Sequence, residues 1–271
     1  MMRSLYTAAS GMKAQQINVD VIANNLANVN STGYKTSTAE FKSLLYQTLQ
    51  TRSTSANGDY KPIPAQVGTG ARNSSITTHF TQGPMLESAN PFGFAISGDG
   101  FFGVMNSDGE TVLTRNGDFQ MAISPGGFML CTQEGYPVLD TDEMPIEFDD
   151  SFETSKIVIT GDGTICYPDE ENNLQSLGIR IGLFQVTNPS GLDSIGDTMY
   201  KITDASGPLM EESANLQLKQ SSVRQGYLEG SNVQVADEMV NLIVAQRAYE
   251  MNSKAIQASD EMLSQANQLR R

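Results

Sequence analysis

A regular spacing of apolar residues at both ends of the chain limits most strongly what this sequence can fold into. Near the N-terminus, apolar side chains recur at alternating steps of three and four residues, interrupted once by Gln15: Leu5, Ala8, Met12, Val19, Ile22, Leu26 and Val29. This spacing places them on one face of an α-helix and is typical of a coiled-coil seam. The sequence therefore predicts a helix over residues 3–29 that ends before Gly33, a residue free to adopt a positive φ.

The C-terminal end is predicted to form a longer helix with apolar side chains on two faces. No Gly or Pro interrupts residues 237–269, and Asp237 and Glu238 would lie in the first turn, where carboxylates suit the helix dipole. A first apolar row consists of Met239, Leu242, Tyr249, Ile256 and Leu263. A second row consists of Val240, Val244, Met251 and Met262, with alanines between them. Two apolar rows on one helix require more than one packing neighbour.

Two terminal helices that pair with each other cannot cover an apolar row on the far side of either helix. The middle of the chain shows no further long helical spacing, so other copies of the same chain are expected to cover the second row. A second interpretation stays open, in which this alanine-rich row is tolerated at the surface.

The middle of the chain has the pattern of an antiparallel β domain. Between residues 90 and 205, turn signals such as Asn116-Gly117 recur about every 8–12 residues. The strand candidates between the turns are Phe101–Met105, Thr111–Thr114, Phe128–Cys131, Ile157–Ile159 and Ile179–Val186. Residues 50–75, rich in Thr, Ser, Asn, Gly and Pro, are predicted to form extended loops or local strands. The predicted fold class is α+β.

The formal net charge of −14 argues against a nucleic-acid partner, which requires a basic surface. The two ends are nearly neutral, and residues 31–223 carry the whole excess of acidic side chains. No stretch approaches the roughly 18–20 apolar residues of a membrane span, and polar residues interrupt the N-terminus too often for a secretory signal. Cys131 and Cys166 are too few for a disulfide framework and are expected to be buried free thiols.

No residue pattern points to catalysis or to a bound cofactor or metal. Gly98–Gly103 contains the letters of a dinucleotide-binding loop, but a strand candidate follows where such a loop requires a helix. It is therefore interpreted as a tight turn that enters a hairpin. His79 is the only histidine, which excludes a multi-histidine metal site, and the acidic clusters lack the ligand spacing of a calcium loop. We expect no catalytic residue, no cofactor and no metal site.

Four segments resemble motifs of the bacterial flagellar rod and hook protein family. Ala23–Lys35 is similar to its N-terminal signature, with the matching residues Asn24, Asn25, Asn28, Gly33 and Tyr34. Two internal motifs and the C-terminal signature are similar to Ile96–Val104, Thr114–Phe119 and Glu229–Ala255. Three further segments are typical of distal-rod members of the family: Phe41–Thr48, Val67–Gly70 and Gly191–Gly196. Proximal-rod and hook-type subunits stay open as alternatives.

The resemblance implies an architecture in which the terminal helices form a coiled-coil-like inner layer of a tube and the β domain lies outside. The expected domains are an N-terminal helix over 1–33, a connector over 34–90 with a variable insert near 50–64, an outer β domain over 91–205, a return connector over 206–231 and a C-terminal helix over 232–271. The helical ends are expected to be largely disordered until neighbouring subunits bury their apolar rows.

The resemblance further implies a structural subunit, not an enzyme, that self-assembles into the helical tubular drive shaft of the distal rod and transmits motor torque to the hook. The expected partners are further copies of the chain, proximal rod proteins, hook subunits, bushing-ring proteins and the flagellar export apparatus, without nucleic acid or membrane insertion. The expected location is the basal body in the periplasm and cell envelope, reached by export without a cleaved signal peptide. Gln50–Pro64 is expected to contact neighbouring subunits and to stiffen the tube.

Two other functional classes stay open on the residues alone. An exported binding protein would remain monomeric, with its terminal helices paired and a concave site in the β domain. A hydrolase would need a carboxylate pair in a cleft.

Overall fold

The structure is a computed structural model that describes residues 2–50, 65–124, 127–149, 152–153, 156–169, 173–215 and 218–268. The chain divides into two compact units. The helical unit draws on residues 1–27, 37–78 and 234–271, and the β unit draws on residues 28–36 and 79–233.

The helical unit contains the two long helices that were predicted from the ends of the chain. α1 spans Met2–Ala27 and α2 spans Val235–Gln268. They pack against each other in antiparallel fashion, with Ser4 near the start of α1 against Ser259 near the end of α2. No helix in the described part of the chain is both long enough and apolar enough to cross a membrane.

Two antiparallel strand pairs complete the helical unit. The four strands are β1 at Ser37–Ser43, β2 at Tyr46–Gln50, β3 at Ala65–Gly68 and β4 at Ala71–Thr78. β1 pairs with β4, and β2 pairs with β3. The predicted insert lies between β2 and β3, and its residues 51–64 are outside the described residues.

The β unit contains short strands throughout, and every pairing between them is antiparallel. The first ten are β5 at Met85–Glu87, β6 at Phe94–Ser97, β7 at Phe101–Met105, β8 at Thr111–Thr114, β9 at Gln120–Ser124, β10 at Gly127–Cys131, β11 at Glu147–Phe148, β12 at Val158–Ile159, β13 at Thr164–Pro168 and β14 at Leu174–Arg180. The remaining six are β15 at Leu183–Val186, β16 at Asp193–Gly196, β17 at Met199–Lys201, β18 at Leu209–Glu211, β19 at Ser222–Gln225 and β20 at Tyr227–Glu229.

The largest sheet of the β unit has six strands in the order β16-β17-β8-β7-β15-β18. Two three-stranded sheets have the orders β11-β10-β9 and β12-β13-β14, and two further pairs are β19-β6 and β20-β5. A short 3-10 turn at Pro189–Gly191 precedes β16. The central antiparallel region and the two terminal helices confirm the predicted α+β class.

The core of the β unit is rich in phenylalanine. Its largest fully buried apolar side chains include Phe94, Phe101, Phe102, Phe119 and Phe184. The Phe102 and Phe119 rings meet edge to face with centroids 5.2 Å apart, a favourable geometry for aromatic pairs. Cys131 and Cys166 are buried and free, as predicted.

The predicted strand Ile179–Val186 is two strands, because β14 and β15 are separated at Ile181–Gly182. The Gly182 N–H donates to the carbonyl oxygen of Leu139 at 2.9 Å. A Cβ on Gly182 would lie 2.6 Å from the carbonyl oxygen of Asp140, so this close approach requires glycine. The apolar run did not reveal the break because its cause is a pairing with a distant segment.

Candidate assembly surface

The two helices approach closely along a seam of small and polar side chains. Gly11 of α1 lies so near α2 that a Cβ on it would be 2.9 Å from Nδ2 of Asn252. The hydroxyl oxygens of Ser4 and Ser259 are 3.2 Å apart across the same seam. Larger side chains at these positions would push the helices apart, so the seam favours one antiparallel register.

α2 contributes seam residues at steps of three, four and, once, seven residues. Three members of the predicted first row are half-buried: Leu242, Ile256 and Leu263. Among the other buried or half-buried residues of this stretch, three continue the spacing of the row: Ala245, Asn252 and Ser259. The predicted rows omitted these three, because alanine gives only a weak hydrophobic signal and because Asn252 and Ser259 are polar. The other members of the first row, Met239 and Tyr249, are exposed.

α1 buries the row that was predicted for it. Ala8 and Ile22 are buried. Four other members on α1 are half-buried: Leu5, Met12, Val19 and Leu26. Val29 is half-buried as well but lies beyond the helix, because α1 ends at Ala27 and not at the predicted residue 29. A second set of buried residues on α1 was not predicted: Ala14, Val21 and Asn25. α1 is therefore covered on more than one side.

Two signature asparagines near the end of α1 differ in their surroundings. Asn24 is exposed, whereas the buried Asn25 connects α1 to β1. Its Nδ2 donates to the carbonyl oxygen of Ser37 at 2.8 Å, and the Ser37 N–H donates back to its Oδ1 at 3.0 Å. Its Nδ2 also donates to Oε2 of Glu238, in the first turn of α2, at 3.4 Å. This side chain therefore joins three elements of the helical unit.

α2 presents its second predicted row to solvent. Val240, Val244, Met251 and Met262 are between 51% and 65% exposed. Two apolar residues outside the predicted rows are exposed as well, Val235 and Ile243. Of the 34 residues of α2, three are buried: Glu238, Ala245 and Ser259. Single exposed apolar residues are ordinary, but a contiguous row along one helix marks an interaction surface.

A groove of about 430 Å³ lies between the two helices. It is lined by Gln16 and Val19 from α1 and by Gln246, Tyr249 and Glu250 from α2. Val19 belongs to the predicted row of α1 and Tyr249 to the first predicted row of α2, so the groove brings one member of each of these rows together.

The remaining signature residues form a turn in the β unit. Asn28 accepts a hydrogen bond from the Ser31 hydroxyl at 3.2 Å. Gly33 has a φ of +69°, and a Cβ on it would lie 2.6 Å from the amide nitrogen of Asn116. The Gly33 N–H donates to the carbonyl oxygen of Glu229 at 2.8 Å. Tyr34, next to it, is half-buried. These residues shape the backbone, and Gly33 is required for both its φ and its close contact.

The glycine-rich turn before β7 confirms its interpretation as a hairpin entry. β7 starts at Phe101, directly after the turn. The Gly100 N–H donates to the Ser221 hydroxyl oxygen at 3.0 Å, and that hydroxyl donates to Oε1 of the buried Glu212 at 2.8 Å. The turn is thus bound to the protein's own side chains. Among the described residues, no group of three or more His, Cys, Asp and Glu side chains is placed to hold a metal ion.

Three charged side chains, which we call the Glu229 cluster, meet in the interior of the β unit and were not predicted. Oε1 of Glu229 accepts a hydrogen bond from Nζ of Lys35 at 2.6 Å, and its Oε2 accepts one from Nη1 of Arg115 at 3.2 Å. None of the three side chains is more than 1% exposed. Lys35 belongs to the N-terminal signature, Arg115 to an internal motif and Glu229 to the C-terminal signature.

The surroundings of the Glu229 cluster change the pKa values of nearby groups. Burial lowers the pKa of the Lys35 amine from its ordinary 10.5, because burial disfavours the charged form. The negative charge of Glu229 opposes this shift, and the positive charge of Arg115 adds to it. Burial also raises the pKa of the Tyr200 hydroxyl above its ordinary value. The cluster therefore lies in an environment poor in water.

Three stretches of the chain match known protein families. Residues 5–35 match the family described as flagella basal body rod protein. Residues 95–167 match the D1 domain of the flagellar hook proteins FlgE, FlgF and FlgG, and residues 224–269 match the C-terminal family of the same rod proteins. These stretches contain the N-terminal, internal and C-terminal motifs described above.

Full-length relatives agree with these matches. The flagellar basal-body rod protein FlgG of Borreliella burgdorferi is 43% identical over 275 residues, which cover 100% of both chains. FlgG of Agrobacterium fabrum is 39% identical over 267 residues, which cover 97% of both chains. FlgG of Buchnera aphidicola subsp. Acyrthosiphon pisum is 38% identical over 270 residues, which cover 99% of this chain and 100% of the relative.

Proposed function

This chain belongs to the family of FlgG flagellar basal-body rod proteins, structural subunits of the distal rod, and we propose that it polymerises through the exposed apolar row of α2. The row is the observation that carries the proposal, because α1 and the strands of the helical unit leave it uncovered. A second copy of the chain supplies the apolar surface that the row needs.

Burial of the row in a subunit contact must outweigh the entropy lost when the helix becomes ordered. Full burial of one Val or Met side chain contributes about 1.5–3 kcal/mol. Four such residues in the row, Val240, Val244, Met251 and Met262, give several kcal/mol for each subunit contact before the cost of ordering is subtracted. We propose that the row contacts a different surface of the next copy, because head-to-tail contacts of this kind repeat into an open helical polymer, the geometry of a rod.

We further propose that the helical ends gain most of their order during assembly. α2 buries three of its 34 residues within its own chain, so tertiary contacts give it little support before neighbours arrive. Burial of the second row by a neighbouring subunit would supply the missing support.

The finer points of the rod function rest on family membership. We propose that the polymer joins proximal rod proteins at one end and hook subunits at the other, passes through bushing-ring proteins and transmits torque. We propose that the chain travels through the flagellar export apparatus without a cleaved signal peptide and acts in the periplasm and cell envelope. We also propose that it catalyses no reaction, in keeping with its structural relatives.

The segment Gln50–Pro64 keeps its proposed role as a contact between subunits that stiffens the tube. Support comes from the described strands beside it, since Tyr46 of β2 is 63% exposed and Val67 of β3 is 40% exposed. Exposed apolar side chains on both strands leave room for a further protein contact.

A cellular experiment tests the proposed assembly surface. Cells that depend on this chain for their rod would carry the double variant Val244→Asp/Met251→Asp, which places two charges in the exposed row. We expect rods that stop before the distal segment and cells that do not swim, because each buried charge would oppose subunit contact. Gln257→Asp adds a charge at an exposed polar position of α2 and should leave swimming intact. Normal rods in the double variant would refute the proposal.

A further inference from the structure

We propose that Glu229 is a positioning residue that fixes three passages of chain, residues 28–36, 79–83 and 229–233, as one rigid anchor of the β unit. The chain crosses between the helical unit and the β unit at the boundaries of these passages, after residues 27, 36, 78 and 233. Every covalent connection of the β unit therefore leads into the anchor. The resistance of the β unit to torque that follows from this anchor rests on the proposed rod function, whereas the anchor itself does not.

Glu229 contacts all three passages from one position. Its Oε1 accepts hydrogen bonds from Nζ of Lys35 at 2.6 Å and from the Gly83 N–H at 2.9 Å. Its carbonyl oxygen accepts the Gly33 N–H at 2.8 Å. Lys35 extends the connection, because its Nζ also donates to the carbonyl oxygen of Thr81 at 2.8 Å. One carboxylate and one ammonium group thus bridge the first, second and third passages.

Arg115 joins the anchor to the six-stranded sheet. Its Nη1 donates to Oε2 of Glu229 at 3.2 Å, and its Nη2 donates to the carbonyl oxygen of Gly98 at 2.9 Å. Its guanidinium carbon lies 5.0 Å from the ring centroid of Phe101, the first residue of β7. This arrangement combines a charge-assisted hydrogen bond with a cation–π contact.

A network of uncharged hydrogen bonds around Asn232 joins the same three passages nearer to the surface. Oδ1 of Asn232 accepts from the N–H and hydroxyl of Thr36 at 2.7 and 2.6 Å. Its Nδ2 donates to the carbonyl oxygens of His79 at 2.9 Å and Thr81 at 3.1 Å. Because these contacts are less buried, water can replace them when they break. Water cannot replace the contacts of the buried Glu229 cluster in this way, so this cluster is the part that keeps the passages in place.

The composition of the cluster favours a positioning role over simple stabilisation. Two cations surround one carboxylate in an interior that excludes water, and Nε of Arg115 has no hydrogen-bond partner among the described residues. Apolar residues of similar volume would give comparable stability without this desolvation. Charged partners, however, require one arrangement of the chain, whereas apolar contacts tolerate sliding. In a rod under torque, such an anchor would keep the β unit from shifting on its connections.

Amide hydrogen exchange on the full-length monomer tests the anchor directly. Glu229→Gln keeps the shape of the side chain but leaves Lys35 and Arg115 without a counter-charge. We expect the amides of Gly33 and Gly83, which donate to Glu229, to exchange faster by about tenfold or more, while those of β7 and β8 keep their protection. Glu110→Gln is the matched control, because it removes an exposed partner of Lys201 in the same unit and should change neither set.

A second substitution separates positioning from general destabilisation. Adding Lys35→Met to Glu229→Gln returns the cluster to one net positive charge, as in the native protein, and should restore part of the protection of Gly83. Three results would overturn the anchor. In Glu229→Gln these are amide exchange that accelerates equally in β7 and β8, or exchange that does not change at all. In the double variant it is exchange at Gly83 that does not recover.

Swimming of cells that carry Glu229→Gln separates a failure of the anchor from a failure of the proposed rod function. Cells that carry Glu229→Gln should still build rods, because α2 is unaltered, and should swim more slowly than cells with Glu110→Gln in a viscous medium. Wild-type swimming in that medium, despite faster exchange at Gly83, would refute the mechanical consequence and leave the proposed function untouched.

Discussion

Gly33 and the Glu229 cluster show how single residues determine the path of the backbone in this chain. Gly33 adopts a φ of +69° and lies against the backbone of Asn116. Its N–H is held by the carbonyl oxygen of Glu229, whose side chain is neutralised by Lys35 and Arg115. Residues that identify the family are therefore explained here by steric and electrostatic constraints, with no ligand required.

Replacement of Gly33 by alanine should destabilise the β unit. The left-handed conformation is strained for alanine, and the new Cβ would lie 2.6 Å from the amide nitrogen of Asn116. We expect the free energy of unfolding, measured in urea, to fall by about 2–4 kcal/mol. Gly109→Ala is the control, because Gly109 has a φ of +76° but no atom within 4 Å of a Cβ there. It should lose about 1–2 kcal/mol, and equal losses would contradict the steric role of Asn116.

The lowered pKa of Lys35 predicts a pH dependence of stability. Between that lowered pKa and the ordinary value of 10.5, the unfolded chain binds more protons at this residue than the folded chain does. The contribution of Lys35 to the free energy of unfolding therefore rises with pH in this window, because the cost of burying its charge disappears.

Lys35→Met removes this contribution and leaves the other titrating groups in place. The difference in the free energy of unfolding, wild type minus Lys35→Met, should increase as the pH rises towards 10.5 and then level off. Urea unfolding of both proteins over a pH series measures it. A difference that is constant or decreases with pH would show that Lys35 is not held in a desolvated site.

At the scale of elements, the two helices have unequal surroundings. α1 buries residues on more than one side, among them Ala8, Ala14 and Val21. α2 meets α1 through a seam of small and polar residues and leaves Val244 and Met251 exposed. The helix that most needs a neighbour is therefore α2, which is why the assembly surface is placed on it.

The antiparallel register of the helix pair can be tested by a disulfide. The Ser4 and Ser259 oxygens are 3.2 Å apart, so Ser4→Cys/Ser259→Cys brings two thiols within bonding range. Oxidation of the assembled protein, in which both helices are ordered, should give an intramolecular bond and stabilise the helix pair by about 2–4 kcal/mol. Ser4→Cys/Gln257→Cys places the second thiol at an exposed position off the seam and should remain reduced under the same conditions. Exclusive cross-linking between chains in the first variant would contradict the register.

At the scale of the whole molecule, local spacing predicted the elements well and long-range contacts poorly. The apolar rows are repeated every few residues, so α1, α2 and some strands of the β unit, among them β7, β8 and β10, could be found from short windows of sequence. Three seam residues of α2 were missed because they are small or polar: Ala245, Asn252 and Ser259.

The Glu229 cluster could not be predicted because its members are far apart in the sequence. Lys35 and Glu229 are 194 residues apart, and Arg115 and Glu229 are 114 residues apart. No local period relates such positions, and each residue taken singly is an ordinary charged residue. The break between β14 and β15 was missed for the same physical reason, a backbone pairing with a distant segment.

Sedimentation of the purified chain at increasing concentration, with far-ultraviolet circular dichroism on the same samples, tests self-assembly through α2 most directly. The wild type should form large polymers whose helical signal rises as they appear, whereas Val244→Asp/Met251→Asp should sediment as a monomer with its β signal intact. Gln257→Asp should behave as the wild type. A wild type that remains a helical monomer at the highest concentration, or a double variant that polymerises equally well, would contradict the account.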